Sequence, residues 1–299
     1  MKERRRTVWA LQRFFSQPVG VTALATLLGL LIVAMFERQI APYGWDSIDL
    51  RESSLNHGPT LRHLLGSDHI GRDVLSRTIY GLHTTIEIGF AVAGIALAIG
   101  VPLGLLAGYY GGWLDTVVMR LVELITAFPA VMISLAAIYF FRPVWPHTLM
   151  IVLGLYLWAV VARVVRSSTA STRATEYVES ATALGASDFR IFRSHVLPNI
   201  AGTVLVAATA VLGQAILLDA TIEFFNFGLP ASRWPSLGNL LADVTFSGGL
   251  GLNGYRQLGW WTWAFPAIAL ALLLVSVNLV GDELDAALNP TRSRRVRAS

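Results

Sequence analysis

Six apolar runs, each near the length a helix needs to cross a bilayer, dominate this chain: residues 19–36, 88–109, 117–141, 149–165, 200–227 and 263–281. Roughly 20 apolar residues in a helix span the hydrocarbon. Backbone polar groups find no water there, so such runs fold as helices or as closed barrels. Barrel strands would alternate apolar and polar residues, and these runs do not. Charged residues make up only 14% of the chain, against roughly 25% in ordinary soluble domains, too few to coat a globule. The expected fold is an all-α polytopic membrane protein with six transmembrane helices. Cysteine is missing, which excludes disulfides, thiolate metal sites and a cysteine nucleophile.

Lys and Arg set the expected orientation, because basic residues are retained on the cytoplasmic side. The head "MKERRRTVWALQRFF" and the tail "NPTRSRRVRAS" are both basic, and six crossings allow both ends to lie inside. The polar insert after the fourth run, with Arg163, Arg166, Arg173, Arg190 and Arg193, then also falls inside. The connection 37–87 lies outside, and Trp260, Trp261 and Trp263 mark the outer end of the last run as an aromatic belt. The same retention explains the net charge of +4 without nucleic acid. The first run exceeds a signal-peptide core and no cleavage site follows it, so it reads as an uncleaved span. Three parts result: residues 1–83, with the first span and outer loop; residues 84–281, a five-helix core carrying the inner loop 167–199; and a basic tail, 282–299.

Within the second run Ala96, Gly100, Gly104 and Gly108 recur every four residues. That spacing puts small side chains on one helical face and lets another helix approach closely.

The insert "ESATALGASDFRIFRSHVLPNI" reads as two short amphipathic helices. Tyr177, Ala181 and Leu184 form one apolar stripe, and Phe189, Phe192 and Val196 a second. Gly185 suits the position past a helix end; after Ala186, Ser187 serves as an N-cap with Asp188 near the positive helix end. Pro198 is expected to close the element. The oily faces require cover, either from a partner or from the chain's own bundle and the headgroups.

Glu179-Ser180-Ala181, Gly185 and Val196-Leu197-Pro198-Asn199 resemble the "EAA" loop of ABC importer permeases, with Ser180 replacing the usual first alanine and His195 standing where isoleucine is common. "HLLGSDHIGRDVLSRTIYG", "RWPSLGNLL" and "GDELDAALNP" are similar to three further signatures, in the same order, of the C-type permeases of the peptide/nickel ABC importer family. The resemblance implies the type I importer permease fold. It also implies a coupling helix pair seated on an ATPase through Tyr177, Glu179, Ser180, Ala181, Leu184, Gly185, Ala186, Ser187, Asp188, Leu197 and Pro198. Implied partners are a B-type permease, two cytoplasmic ABC ATPases and an extracytoplasmic binding protein, in the bacterial inner membrane. The implied cargo is a di- or oligopeptide, or alternatively nickel or a metal chelate. No Walker A sequence occurs, so ATP and Mg are expected in the ATPase subunits, with no cofactor, metal or catalytic residue in this chain. A secondary transporter would show internal repeats and broken midplane helices, and an intramembrane enzyme would need a nucleophile–base or metal constellation within the spans; neither pattern is evident.

Two polar groupings leave alternatives open. His63, Asp68, His69 and Asp73 could ligate a metal; equally, Ser67 and Asp68 cap a helix starting near Ile70, while Arg72 and Asp73 fix the loop. Arg120 and Glu123 read as a snorkelling ion pair. Asp219 and Glu223 share one face of the fifth span, and the family commonly has an acid at the first position. They either line the outer mouth of a pathway that favours a cationic group or bond to the partner permease.

Overall fold

The computed structural model describes residues 14–50, 56–141, 144–246 and 259–288. Helices dominate: α1 (Pro18–Met35), α2 (Glu37–Ile40), α3 (Val74–Tyr110), α4 (Gly112–Thr126), α5 (Ala130–Phe140), α6 (Pro146–Arg173), α7 (Glu176–Ala183), α8 (Asp188–Ile191), α9 (Leu197–Phe224), α10 (Leu237–Phe246) and α11 (Trp261–Leu288). Among the described residues the only β-type pairings are two isolated bridges in the loop before α3. Five helices are long and apolar enough to span a bilayer, and the bent pair α4–α5 makes a sixth crossing if counted as one.

Close approach of α3 and α6 organises the bundle. A methyl group placed on Gly100 would fall 2.6 Å from the Trp158 carbonyl oxygen; on Gly104, 2.7 Å from that of Ala162; on Gly108, 2.5 Å from that of Arg166. Both series advance four residues at a time, so the small face read from the sequence lies along the ridge of one other helix for two turns. Ala96 is fully buried at the head of the row, and Gly154 of α6 returns the contact by receiving Ile95. Around this pair α9 packs on α3 and α6, α11 packs on α9 and α3, and α1 lies along α11 and α3. One apolar core, centred on Ile88, Leu149, Leu153, Leu157, Ile200 and Ile216, joins them. Outward-turned apolar residues such as Phe90, Ile151, Leu155 and Leu217 are about half exposed, as suits side chains that face lipid.

Three elements differ from the sequence expectations. The third run is not straight: α4 and α5 meet at 85°. Pro129, the residue before α5, lacks the N–H that would continue the ladder, and its ring disfavours helix at Phe128. Pro102, in contrast, sits within an unbroken α3. That helix begins at Val74 rather than near Ile70, and its cap is Asp73, whose carboxylate accepts the Ser76 N–H at 2.7 Å. Its 37 residues run roughly 55 Å at the usual helical rise, so its polar first turns project beyond any hydrocarbon layer. Finally, Pro198 does not end the insert. It lies in the first turn of α9, and a π-helical segment, Phe192–Val196, carries the chain without a break from α8 into the fifth span. Leu197 N–H bonds to the Phe192 carbonyl, five residues back, a wide turn that makes room for the proline ring.

The α3–α6 interface yields a direct test. Gly104→Leu forces a side chain into the Ala162–Val165 backbone, and such overpacking costs about 1–3 kcal/mol or more. Its thermal stability in detergent is expected to fall well below that of Gly94→Leu, since a side chain at Gly94 meets nothing within 4 Å.

Candidate coupling site and buried carboxylates

The insert stands at the end of the bundle where α3 and α6 finish and α9 begins. Helix α7 ends in a Schellman motif: Gly185 N–H bonds to the Thr182 carbonyl and Ala186 N–H to that of Ala181, with Gly185 at φ +80°. Glycine takes that left-handed conformation without strain. Ser187 has the extended backbone of an N-cap, but its hydroxyl makes no capping bond. Asp188 faces elsewhere, accepting hydrogen bonds from the Tyr109 hydroxyl at 2.9 Å and the Tyr110 hydroxyl at 3.2 Å. Phe192 lies against the Tyr109 ring with centroids 4.3 Å apart. Arg173 donates to the Tyr109 carbonyl and covers the same ring, and Arg166 forms a paired contact with Asp115 of α4. A cavity of about 870 Å³ between these groups is lined by Tyr109, Tyr110, Asp115, Arg166, Glu179 and Asp188.

The apolar stripes divide. Val178, Ile191 and Val196 are buried against the chain's own bundle, whereas Leu184 (88% exposed) and Phe189 (73%) stand free on either side of the Gly185 turn. Tyr177 and Leu197 are half exposed, and Glu179, Ser180 and Pro198 are exposed. Val196, expected on the second free stripe, belongs to the core instead, because the π turn rotates it inward. Tyr109 and Tyr110, which anchor the element, and Asp115, which holds Arg166 beside it, escaped the sequence reading, while Arg173 was read only as part of the basic cluster. Their one signal was the aromatic pair closing the small-residue face of α3.

At the opposite end, the expected cap residue Asp68 has another role. One carboxylate oxygen accepts the Ile70 and Arg72 N–H groups. The other takes Arg72 Nε at 2.7 Å and Arg77 Nη1 at 2.8 Å, and Arg77 Nη2 reaches Asp243 of α10 at 3.0 Å. Burial works to raise the Asp68 carboxyl, but the two guanidinium groups outweigh it and hold it below the usual carboxylate range. His63 Nδ1 bonds to Asp73 at 2.9 Å, and Trp261 Nε1 donates to the Ser67 carbonyl. Among the described residues no group of three potential ligands is arranged for a metal. Arg120 and Glu123 form the expected pair, 2.9 Å apart and exposed, which contributes little.

Asp219 and Glu223 occupy the last two turns of α9, one turn apart. Neither reaches a surface of the chain: they are 0% and 1% exposed, and none of their four oxygens has a hydrogen-bond partner. Beyond them α9 closes with a second Schellman motif, Asn226 N–H to Glu223 and Phe227 N–H to Ile222. Asn226 stands at φ +62°, a conformation asparagine tolerates.

A bundle of five or six membrane-length helices with a short amphipathic insert at one end defines a class, the polytopic helical membrane protein. Residues 100–294 match the family described as binding-protein-dependent transport system inner membrane component, and the chain belongs to that family, non-catalytic permease subunits of ABC importers. It is 34% identical to the oligopeptide transport system permease protein OppC of Mycobacterium tuberculosis over 98% of this chain and 97% of that one. It is 30% identical to the dipeptide transport system permease protein DppC of Alkalihalophilus pseudofirmus, over 94% and 88%. With the glutathione transport system permease protein GsiD of Escherichia coli it shares 33%, over 95% and 91%. The fold is also similar to a solved chain of the MetNI methionine ABC transporter, with TM-score 0.57 and 20% identity, over 72% of this chain and 96% of that one. The resemblance read from the signatures is therefore shown.

The Asp68 cluster predicts how the loop–α10 contact responds to pH. A carboxyl depressed on folding adds stability that is complete above its unfolded value and fades as pH falls through the folded one. The contribution of this contact to thermal stability should be complete above the ordinary carboxylate range, begin to fall as pH enters that range, and be gone once pH is below the depressed folded value. Asp68→Asn, which leaves the buried Arg72 and Arg77 sharing Asp243 alone, should cost about 3–5 kcal/mol at neutral pH and flatten the acid limb.

Proposed function

We propose that this chain is the C-type permease of an ATP-driven importer of peptides or peptide-like molecules, and that the 179–198 element couples ATPase movement to the membrane helices. Its termini and insert lie on the cytoplasmic side of the bacterial inner membrane. A B-type permease completes the pathway, two ABC ATPases bind below it, and an extracytoplasmic binding protein delivers cargo above. The names of the relatives, covering oligopeptides, dipeptides and glutathione, favour a peptide class of cargo over nickel.

One observation carries the coupling role. Leu184 and Phe189 protrude from a tip whose base is fixed twice, by Asp188 to the tyrosines ending α3 and by unbroken helix to α9. Apolar side chains left bare beside a water-facing turn fit a socket on another protein. Displacement of that tip acts directly on both helices. Asp219 and Glu223 join the pathway in this reading when the far end of α9 opens.

Leu184→Asp combined with Phe189→Asp is expected to reduce co-purification of the ATPases by about tenfold or more, with uptake falling in parallel. Unchanged co-purification would rule the tip out as the socket partner. Uptake of labelled dipeptide, longer peptide, glutathione and nickel chelate, in cells lacking this subunit and then complemented, identifies the cargo.

A further inference from the structure

Asp219 and Glu223 are covered by backbone. A methyl group on Gly228 would fall 2.4 Å from the Glu223 Cγ, and one on Gly238 would lie 3.0 Å from its Cβ and 2.7 Å from the Ala220 Cα. That packing closes over the Glu223 stem, and all four carboxylate oxygens of the pair are shut off from solvent. The N–H groups of Leu229 and Asn239 face Glu223 without reaching hydrogen-bonding geometry.

Among the described residues no cation balances the pair. The charged group that faces Glu223 is Asp219. On α3, Arg77 is engaged by Asp68 and Asp243 of α10, and Glu87 faces His83. In the α9–α10 turn, Arg233 lies against the rings of Trp145 and Trp234. His147, at the start of α6, stacks on Trp145. Neither α5 nor the first two turns of α11 contain a charged residue. A buried carboxylate with neither counter-charge nor hydrogen-bond donor is neutralised by taking up a proton, and a second carboxyl beside it reinforces that preference.

We propose that Asp219 and Glu223 form a proton-binding site that reports and controls opening at the outer end of α9. Both carboxyls carry their protons while the 228–239 turn covers them. When the turn lifts, water enters and each O–H releases its proton to that water; closure takes the protons back. The open form thus binds fewer protons, so alkaline conditions favour it and acid favours the closed form. Once ionised, the pair presents negative charge at the mouth, which is where a preference for cationic cargo would arise. The proposal rests on the importer reading for its outward opening.

The native chain has no cysteine, so a single introduced cysteine is its only thiol and its labelling is read on this subunit after separation from the others. Leu229→Cys, at a residue 2% exposed within the covering turn, reports opening, and Leu61→Cys, at a residue 98% exposed, sets the reference rate. Each probe in the fully assembled importer is reacted with a membrane-impermeant maleimide from about pH 5.5 to 8, and the ratio of rates is taken. That ratio is expected to rise by up to about tenfold per pH unit for each proton released, and to be flat when Asp219→Asn and Glu223→Gln are added. If the double change prevents assembly, Glu223→Gln alone is expected to make the rise less steep. A ratio that is flat in the native background, or equally steep in the variants, overturns the proposal. Neither result bears on whether Leu184 and Phe189 hold the ATPase, so failure here is distinct from failure of the coupling role.

Discussion

The backbone contact of α3 with α6 is the constraint on which the other features depend. In a bilayer, apolar side chains gain nothing by leaving lipid for one another, so helices associate through packing and close approach. Glycines at 100, 104 and 108 bring α3 against successive carbonyls of α6, and a side chain at any of them would separate the two. The pair ends with Tyr109 and Arg173, joined to each other. It begins, at the other end, with the turns of α3 that hold Asp68, Arg77 and Asp243 together. A close-packed pair of long helices thus connects the lever to the outer loops.

The two ends are built from opposite materials. The lever end keeps one oily face inside, through Val178, Ile191 and Val196, and leaves Leu184 and Phe189 outside. Its attachment to α3 is polar and aromatic, through Asp188, Tyr109, Tyr110 and Phe192. The other end holds a buried charge cluster and a pair of carboxyls that no cation among the described residues balances. Removing one member of the cluster strands a charge, whereas the carboxyl pair changes state by gaining or losing protons.

Much of this was legible in the residues because it follows from local chemistry. The apolar runs, the small face of α3 and the Gly185 turn each depend on spacing or on one residue's backbone freedom. What escaped depends on distant contacts. Asp68 reads as a cap until two arginines, from four and nine residues later, claim its second oxygen. Pro129 within an apolar run does not declare an 85° turn, since Pro102 in a similar run causes none. Pro198 stops an ordinary α-helix but not one that widens into a π turn. The shared face of Asp219 and Glu223 was evident from their spacing; its cover, the glycines of a turn many residues onward, was not.

The proposed coupling of the insert to the membrane helices requires α3 and α6, packed backbone to backbone, to move as one body. Spin labels at Phe90 and Leu155, both half exposed on these helices, allow their separation to be measured in the assembled importer. The account predicts one narrow distance distribution, unchanged between nucleotide-free and ATP-analogue-bound states while the lever shifts. A separation that moves or broadens on nucleotide binding would contradict it.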